Sequence, residues 1–193
     1  MAYYNLVRCL IAVVLIAVVL LVNKKRHFIK KQSVLAIIVI ACFGLSAVLH
    51  LLPFESAFIS FDTPEKAANY YSNSDIDNII YGDNSCLVLY SNGNTKRQIL
   101  TKDDNGWKIH SGFEIKESHM TLVNRTSVYI ISLENSTDRY IVISDFSEKK
   151  LTVSDNINSV FYSDSDGNYF AYLSNFSDDY TVNVNGETVT FGK

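Results

Sequence analysis

Two runs of aliphatic residues open the chain. Residues 6–22 read LVRCLIAVVLIAVVLLV and residues 33–52 read SVLAIIVIACFGLSAVLHLL. Both are apolar all round, without the one-sided stripe of a surface helix, and such helices are surrounded by protein core or by lipid. Nothing else in the chain is apolar enough to cover both, so lipid is the expected surrounding. A membrane span needs about 20 mostly apolar residues, and about 17 suffice at the lower limit. The second run meets this outright; the first meets it once Arg8 extends to the interface beside Tyr3 and Tyr4.

Between the runs stands NKKRHFIKKQ, residues 23–32, with Lys24, Lys25, Arg26, Lys30 and Lys31. Short loops rich in Lys and Arg stay cytoplasmic, and these five cations outweigh Arg8 and the amino terminus. They determine the expected topology of a plasma-membrane, multi-pass protein. Residues 1–53 form a two-helix transmembrane hairpin with spans at about 6–22 and 33–52 and a cytoplasmic loop at 23–32. Both termini are extracytoplasmic. No small-x-small cleavage site follows Val22. Val39-Ile40-Ala41-Cys42 has the letters of a lipoprotein box, but it lies far along the chain and more apolar residues follow, so it reads as part of the span. His50 falls at the outer end of that span, in the interface.

Past residues 54–62, a tether, the pattern changes twice. Thr63-Pro64-Glu65 predicts a helix start: a side-chain oxygen for the orphan donors, a proline suited to the first helical position, and an acid at the positive end. Ala67, Ala68, Tyr70 and Tyr71 give a narrow apolar stripe, and the Ser-Asn-Ser-Asp stretch at 72–75 ends it. After Ile76 come short runs dense in β-branched and aromatic residues, at 86–90, 127–133, 140–143, 169–173 and 180–184. Asn92-Gly93, Asn105-Gly106, Asp166-Gly167 and Asn185-Gly186 supply hairpin turns. In the last hairpin a two-residue turn sets Val184 opposite Glu187, Val182 opposite Val189 and Tyr180 opposite Phe191, with Thr181 and Asn183 facing Thr190 and Thr188. That register keeps apolar with apolar. The hairpin around Asp166-Gly167 is apolar on both faces, so Val160–Tyr162 against Tyr169–Leu173 is expected as an inner pair. Residues 63–193 are thus expected as a mostly-β extracytoplasmic domain, an antiparallel meander or sandwich with one short N-terminal helix.

Charge sharpens the division. Residues 1–52 carry six Lys/Arg and no acid, whereas residues 53–193 carry eleven Lys/Arg against twenty Asp/Glu. The folded part is acidic, which excludes a basic nucleic-acid footprint. Its acidity serves solubility, and it also suits a cationic partner such as a basic peptide or a basic patch on a protein. Asp75, Asp77 and Asp83, and Asp164, Asp166, Asp178 and Asp179, are the expected clusters.

Candidate chemistry is sparse. Cys9, Cys42 and Cys86 form no disulfide framework and no zinc motif, and Cys86 opens a strand headed for the core. His110 and Ser111 are adjacent, but strand neighbours point to opposite faces, so they make no dyad. His119 stands alone. Asp164-Ser-Asp166-Gly167-Asn168 resembles part of a calcium loop, yet its glycine comes too early and the distant bidentate Glu is missing; a hairpin turn explains the same letters. Asn124, Asn135 and Asn175 head glycosylation-type sequons that chance explains in a chain rich in Asn and Ser. The sequence therefore predicts no catalytic residue, no cofactor-binding or metal-binding residue, and no cofactor.

Phe61-x-Thr63-Pro64-Glu65-x-Ala67, Ser85-x-Leu87-Val88-x-Tyr90 and Lys102-Asp103-Asp104-Asn105-Gly106-Trp107-Lys108 resemble segments of a group of membrane-anchored extracytoplasmic β-domain proteins of Gram-positive bacteria. The ending Asn175-Phe176, Tyr180 and Asn185-Gly186-Glu187 is similar too. The resemblance implies location and fold; it implies no activity. The expected role is that of a non-enzymatic binding, sensing or accessory domain on a membrane anchor. Two rivals follow: an accessory or immunity-type factor acting through its hairpin on another membrane protein, and an extracytoplasmic hydrolase.

Overall fold

The computed structural model describes residues 3–26, 32–51, 56, 58–91, 97–110, 114–123, 125–134, 136–145 and 151–191. Helix α1 spans Tyr3–Arg26 and lies alongside α2, Gln32–Leu51. Among the described residues one helix is long and apolar enough to cross a membrane, over Leu6–Lys25. Leu10, Val13 and Leu21 on it are 62%, 65% and 66% exposed, so the flank away from α2 is bare of protein. An apolar helix this near the N-terminus fits a membrane anchor or a signal sequence. The expected second span is not shown: α2 is helical to Leu51, but its described apolar stretch, Val34–Leu45, is shorter than a crossing requires. Lys24, Lys25 and Arg26 form the last residues of α1; Lys30 and Lys31 lie outside the described residues. So do Asn92-Gly93, Ser111, Asn124, Asn135 and the side chains of His50 and His119.

Helix α3, Pro64–Tyr71, starts as its sequence predicts. The Thr63 hydroxyl accepts from the Lys66 N–H at 3.3 Å, Pro64 takes the first helical position and Glu65 the first turn. It ends at Ser72, whose N–H donates to the Ala68 carbonyl. Phe61, placed by sequence in the tether, exchanges backbone hydrogen bonds with Trp107 at 2.9 and 2.7 Å.

Among the described residues twelve strands follow: β1 (Ile76–Tyr81), β2 (Ser85–Tyr90), β3 (Arg97–Asp103), β4 (Gly106–Ile109), β5 (Ile115–Val123), β6 (Thr126–Leu133), β7 (Tyr140–Asp145), β8 (Val153–Asp155), β9 (Tyr162–Ser163), β10 (Tyr169–Tyr172), β11 (Tyr180–Val184) and β12 (Glu187–Phe191). They form three antiparallel sheets: a first sheet β1-β2-β3-β4, a central sheet β5-β6-β7-β10-β9 and a last sheet β12-β11-β8. Side-chain alternation stacks them. Val128, Ile130, Ile141, Ile143 and Ala171 of the central sheet meet Val182, Val184, Val189 and Phe191 of the last. Tyr129, Ile131, Tyr140, Val142 and Phe170, from the other face, meet Ile80, Leu87, Leu89 and Ile99 of the first. The outer face of the first sheet, with Cys86, Val88, Tyr90, Leu100 and Trp107, packs against Ala67 and Ala68 of α3. The order of layers is α3, first sheet, central sheet, last sheet. Each aliphatic side chain fully withdrawn from water contributes about 1.5–3 kcal/mol, so the two inner layers carry most of the stability.

The β11–β12 register matches the expected one at every pair, and Asn185 and Gly186 adopt positive φ of 52° and 89°. The expected inner pair around Asp166-Gly167 needs correction. β10 is inner, but β9 is the edge of its sheet, with Val160 65% and Tyr162 38% exposed. The first and last sheets cover β6, β7 and β10 and do not reach that edge. In β2 and β6 the cover is complete, and every residue is buried.

Candidate functional site

Two connections meet where the first and central sheets touch. In the β1–β2 turn, the Gly82 N–H donates to the Ser85 carbonyl, which brings Asn84 and Ser85 over the central sheet. In the β6–β7 connection, the Ser136 N–H donates to the Leu133 carbonyl and the Asp138 N–H to the Ser136 hydroxyl. This turn drives Asp138 inward until it is 2% exposed.

A buried carboxylate is tolerated only when hydrogen-bonded. Asp138 Oδ2 accepts from the Ser85 hydroxyl at 2.5 Å and the Asn84 N–H at 3.0 Å, and Oδ1 accepts from the Tyr172 hydroxyl at 3.2 Å. Ser85 has one proton and gives it to Asp138, so in its 2.8 Å contact with Tyr140 the tyrosine is the donor. Burial, more than any charge, pushes the Tyr140 phenol up from its ordinary range. The clamp leaves no spare volume: a Cβ on Gly82 would stand 2.7 Å from Asp138 Oδ2 and 2.8 Å from the Tyr140 hydroxyl.

Beside the clamp opens a cavity of about 420 Å3, walled by Asp83, Thr137, Asp138, Arg139, Tyr172 and Phe176 among others. That size is in the range of small-molecule sites. Tyr172 stands between two carboxylates, and its phenol is pushed up to about 12, first by burial and then by the Asp83 and Asp138 carboxylates on either side. Arg139 Nη1 donates to the Ser136 carbonyl at 2.6 Å and the Asp138 carbonyl at 3.1 Å, which fixes the guanidinium on the wall.

A second constellation joins the same two sheets. His110 Nε2 lies 2.5 Å from the Thr101 hydroxyl and Nδ1 lies 2.5 Å from Glu114 Oε2. The described partners of His110 come from β3 and from the residue that leads into β5. None of the three lines the cavity.

Of the expected acidic residues, Asp83 reaches the cavity. Asp164 is consumed by its own turn, accepting from the Asp166 and Asn168 N–H groups and from the Asn168 amide. Asp179 accepts from the Ser177 hydroxyl. Among the described residues no group of three or more His, Cys, Asp or Glu could hold a metal ion. Cys86 is fully buried and its thiol is pushed up to about 12 by burial, which keeps it an inert apolar filler.

Asp138, Tyr140, Tyr172 and Arg139 were not candidates on sequence. Each belongs to a stretch that reads as a strand or its approach, and only the pairing of distant segments gives them a common purpose. No protein-family model, curated protein or solved structure matches the chain.

Proposed function

We propose that this chain is a plasma-membrane protein whose N-terminal helical hairpin holds an external β-rich domain, and that the domain binds a small ligand in the cavity beside Asp138 without catalysing a reaction on it. The observation that carries the reading is the clamp: a carboxylate held by donors from two sheets gives the cavity a rigid wall before any ligand arrives. Preorganised walls lower the ordering cost of binding. The charge break between residues 52 and 53 and the resemblance to membrane-anchored proteins of Gram-positive bacteria support the location. The cations at Lys24, Lys25, Arg26, Lys30 and Lys31 support a cytoplasmic loop and external termini.

The binding reading is tested with the full chain in lipid nanodiscs, screened against a mixed small-molecule library by saturation-transfer NMR, beside a Thr137→Trp variant that fills the cavity. Hits that disappear in the variant support it; an identical hit list in both proteins overturns it. For topology, an external-activity reporter fused after residue 60 is expected to be active and one fused after residue 28 inactive, and the reverse pattern refutes the hairpin.

The Thr101–His110–Glu114 chain favours a second reading as a hydrolase, because hydroxyl, imidazole and carboxylate are hydrogen-bonded in the order that activates a nucleophile. Turnover of activated esters by the full chain, abolished by Thr101→Val and by His110→Gln, would establish it.

A further inference from the structure

Resting on the cavity as a ligand site, we infer that its ligand is a small zwitterion with neighbouring ammonium and carboxylate groups, a free amino acid. The lining carries both signs of charge in one small space. Asp83 is exposed, and the half-buried Arg139 lines the same cavity. A purely anionic ligand would be repelled by Asp83 and by the Asp138 carboxylate behind it. A purely cationic ligand would meet the Arg139 guanidinium. An apolar ligand would strip water from these charged groups and return no hydrogen bond, which is costly in a confined site.

Each charge has the means to receive its opposite. Arg139 Nη1 spends its two protons on the Ser136 and Asp138 carbonyls. That leaves the Nε and Nη2 protons, the edge of the guanidinium that pairs side-on with a carboxylate through two parallel hydrogen bonds. Asp83 stands beside the Tyr172 hydroxyl, whose single proton is given to Asp138. The Asp83 carboxylate retains acceptor capacity for an ammonium group. The Tyr172 and Phe176 rings in the same lining can face an ammonium or pack a side chain. One residue's worth of chain separates the two charges in an amino acid. A dipeptide adds about 3.3–3.6 Å of reach between its charged ends and should fit worse.

The test uses the full chain in nanodiscs and isothermal titration with leucine, N-acetyl-leucine, leucinamide and the dipeptide Leu-Leu, repeated with glycine, lysine and glutamate in place of leucine. Free amino acids are expected to bind, and each cap, or extension to the dipeptide, is expected to weaken binding at least tenfold. Arg139→Gln should remove the preference for leucine over leucinamide, and Asp83→Asn the preference over N-acetyl-leucine. A merely structural role for either residue would weaken all ligands alike. Equal binding of capped and free forms, loss on one cap only, or no binding by any of these compounds overturns the inference. If cations or apolar compounds instead bind and Thr137→Trp blocks them, the cavity remains a binding site with another ligand. If Thr137→Trp blocks nothing, both readings fall together.

Discussion

Two polar clusters tie the first sheet to the central one, and they differ in how much water they see. Around Asp138 the carboxylate and its shortest partner, Ser85, are buried, Tyr172 is half-buried and only Asn84 is exposed, and its acceptors are filled from the β1–β2 turn, from Ser85 and from β10. In the Thr101–His110–Glu114 chain the side chains of His110 and Glu114 are 25% and 44% exposed. The distances are as short in the second cluster as in the first. Length does not rank them; the fate of the partners after a break does. Buried donors that lose their acceptor have nowhere to turn, whereas exposed groups pair with water.

The comparison is put at most risk by Asp138→Ala. It leaves the Ser85 hydroxyl, the Asn84 N–H and the Tyr172 hydroxyl without their acceptor, and should cost about 3–5 kcal/mol in denaturant unfolding of the full chain. A cost no greater than that of breaking the exposed cluster would mean that water already reaches the clamp. Gly82→Ala should follow at about 1–3 kcal/mol. Its methyl group would have to displace the Asp138 carboxylate or the Tyr140 hydroxyl, each under 3 Å away. A neutral result would show that the turn moves freely and that the clamp is not rigid.

Alkali offers a third probe. The Tyr172 phenol rises from 10.0 to about 12 in the fold. Between these values the folded chain keeps a proton that the unfolded chain has lost, so stability is unaffected below about pH 10 and falls as pH climbs toward about 12. Tyr140 and Tyr180, both raised mainly by burial, add to the same trend. Tyr172→Phe should flatten part of the decline, followed through unfolding midpoints from pH 8 to pH 12; an unchanged slope would take Tyr172 out of the cluster's electrostatics. The smallest effect is expected at the rim: His110→Gln or Glu114→Gln should change stability by no more than about 1 kcal/mol. A larger loss would mark the exposed chain as a second structural clamp.

The same contrast explains what could be read in the sequence. The β11–β12 hairpin was legible to the last pair because its turn and its alternation lie within twelve consecutive residues. The start of α3 was legible for the same reason, with cap, proline and acid side by side. Asp138 was not, since its donors stand 34, 53 and 54 positions away and nothing local distinguishes it from any acid in a loop. Strand β3 escaped notice because RQILTKD mixes charge with aliphatic residues, a pattern that becomes a strand only when a neighbour is present. The apolar letters around Tyr162 mislead: hydrophobicity on both faces predicts cover on both faces, but the sheet ends there.

At the other end of the layers, the Tyr4 ring lies 5.0 Å from that of Tyr71 and 6.2 Å from that of Tyr70, with the Arg8 guanidinium 4.4 Å from its centre on α1. Among the described side chains of that helix, Tyr4 and Arg8 are the buried ones. This contact acts as a key in a slot. An α-helix turns about 100° with each residue, so one residue inserted after Arg8 would rotate the rest of α1 by that angle against the keyed turn. The apolar flank that now faces outward would swing by the same amount, while α3 and the sheets stacked on it stayed where they are. Which way the β domain faces is therefore tied to the phase of a helix, counted in whole residues.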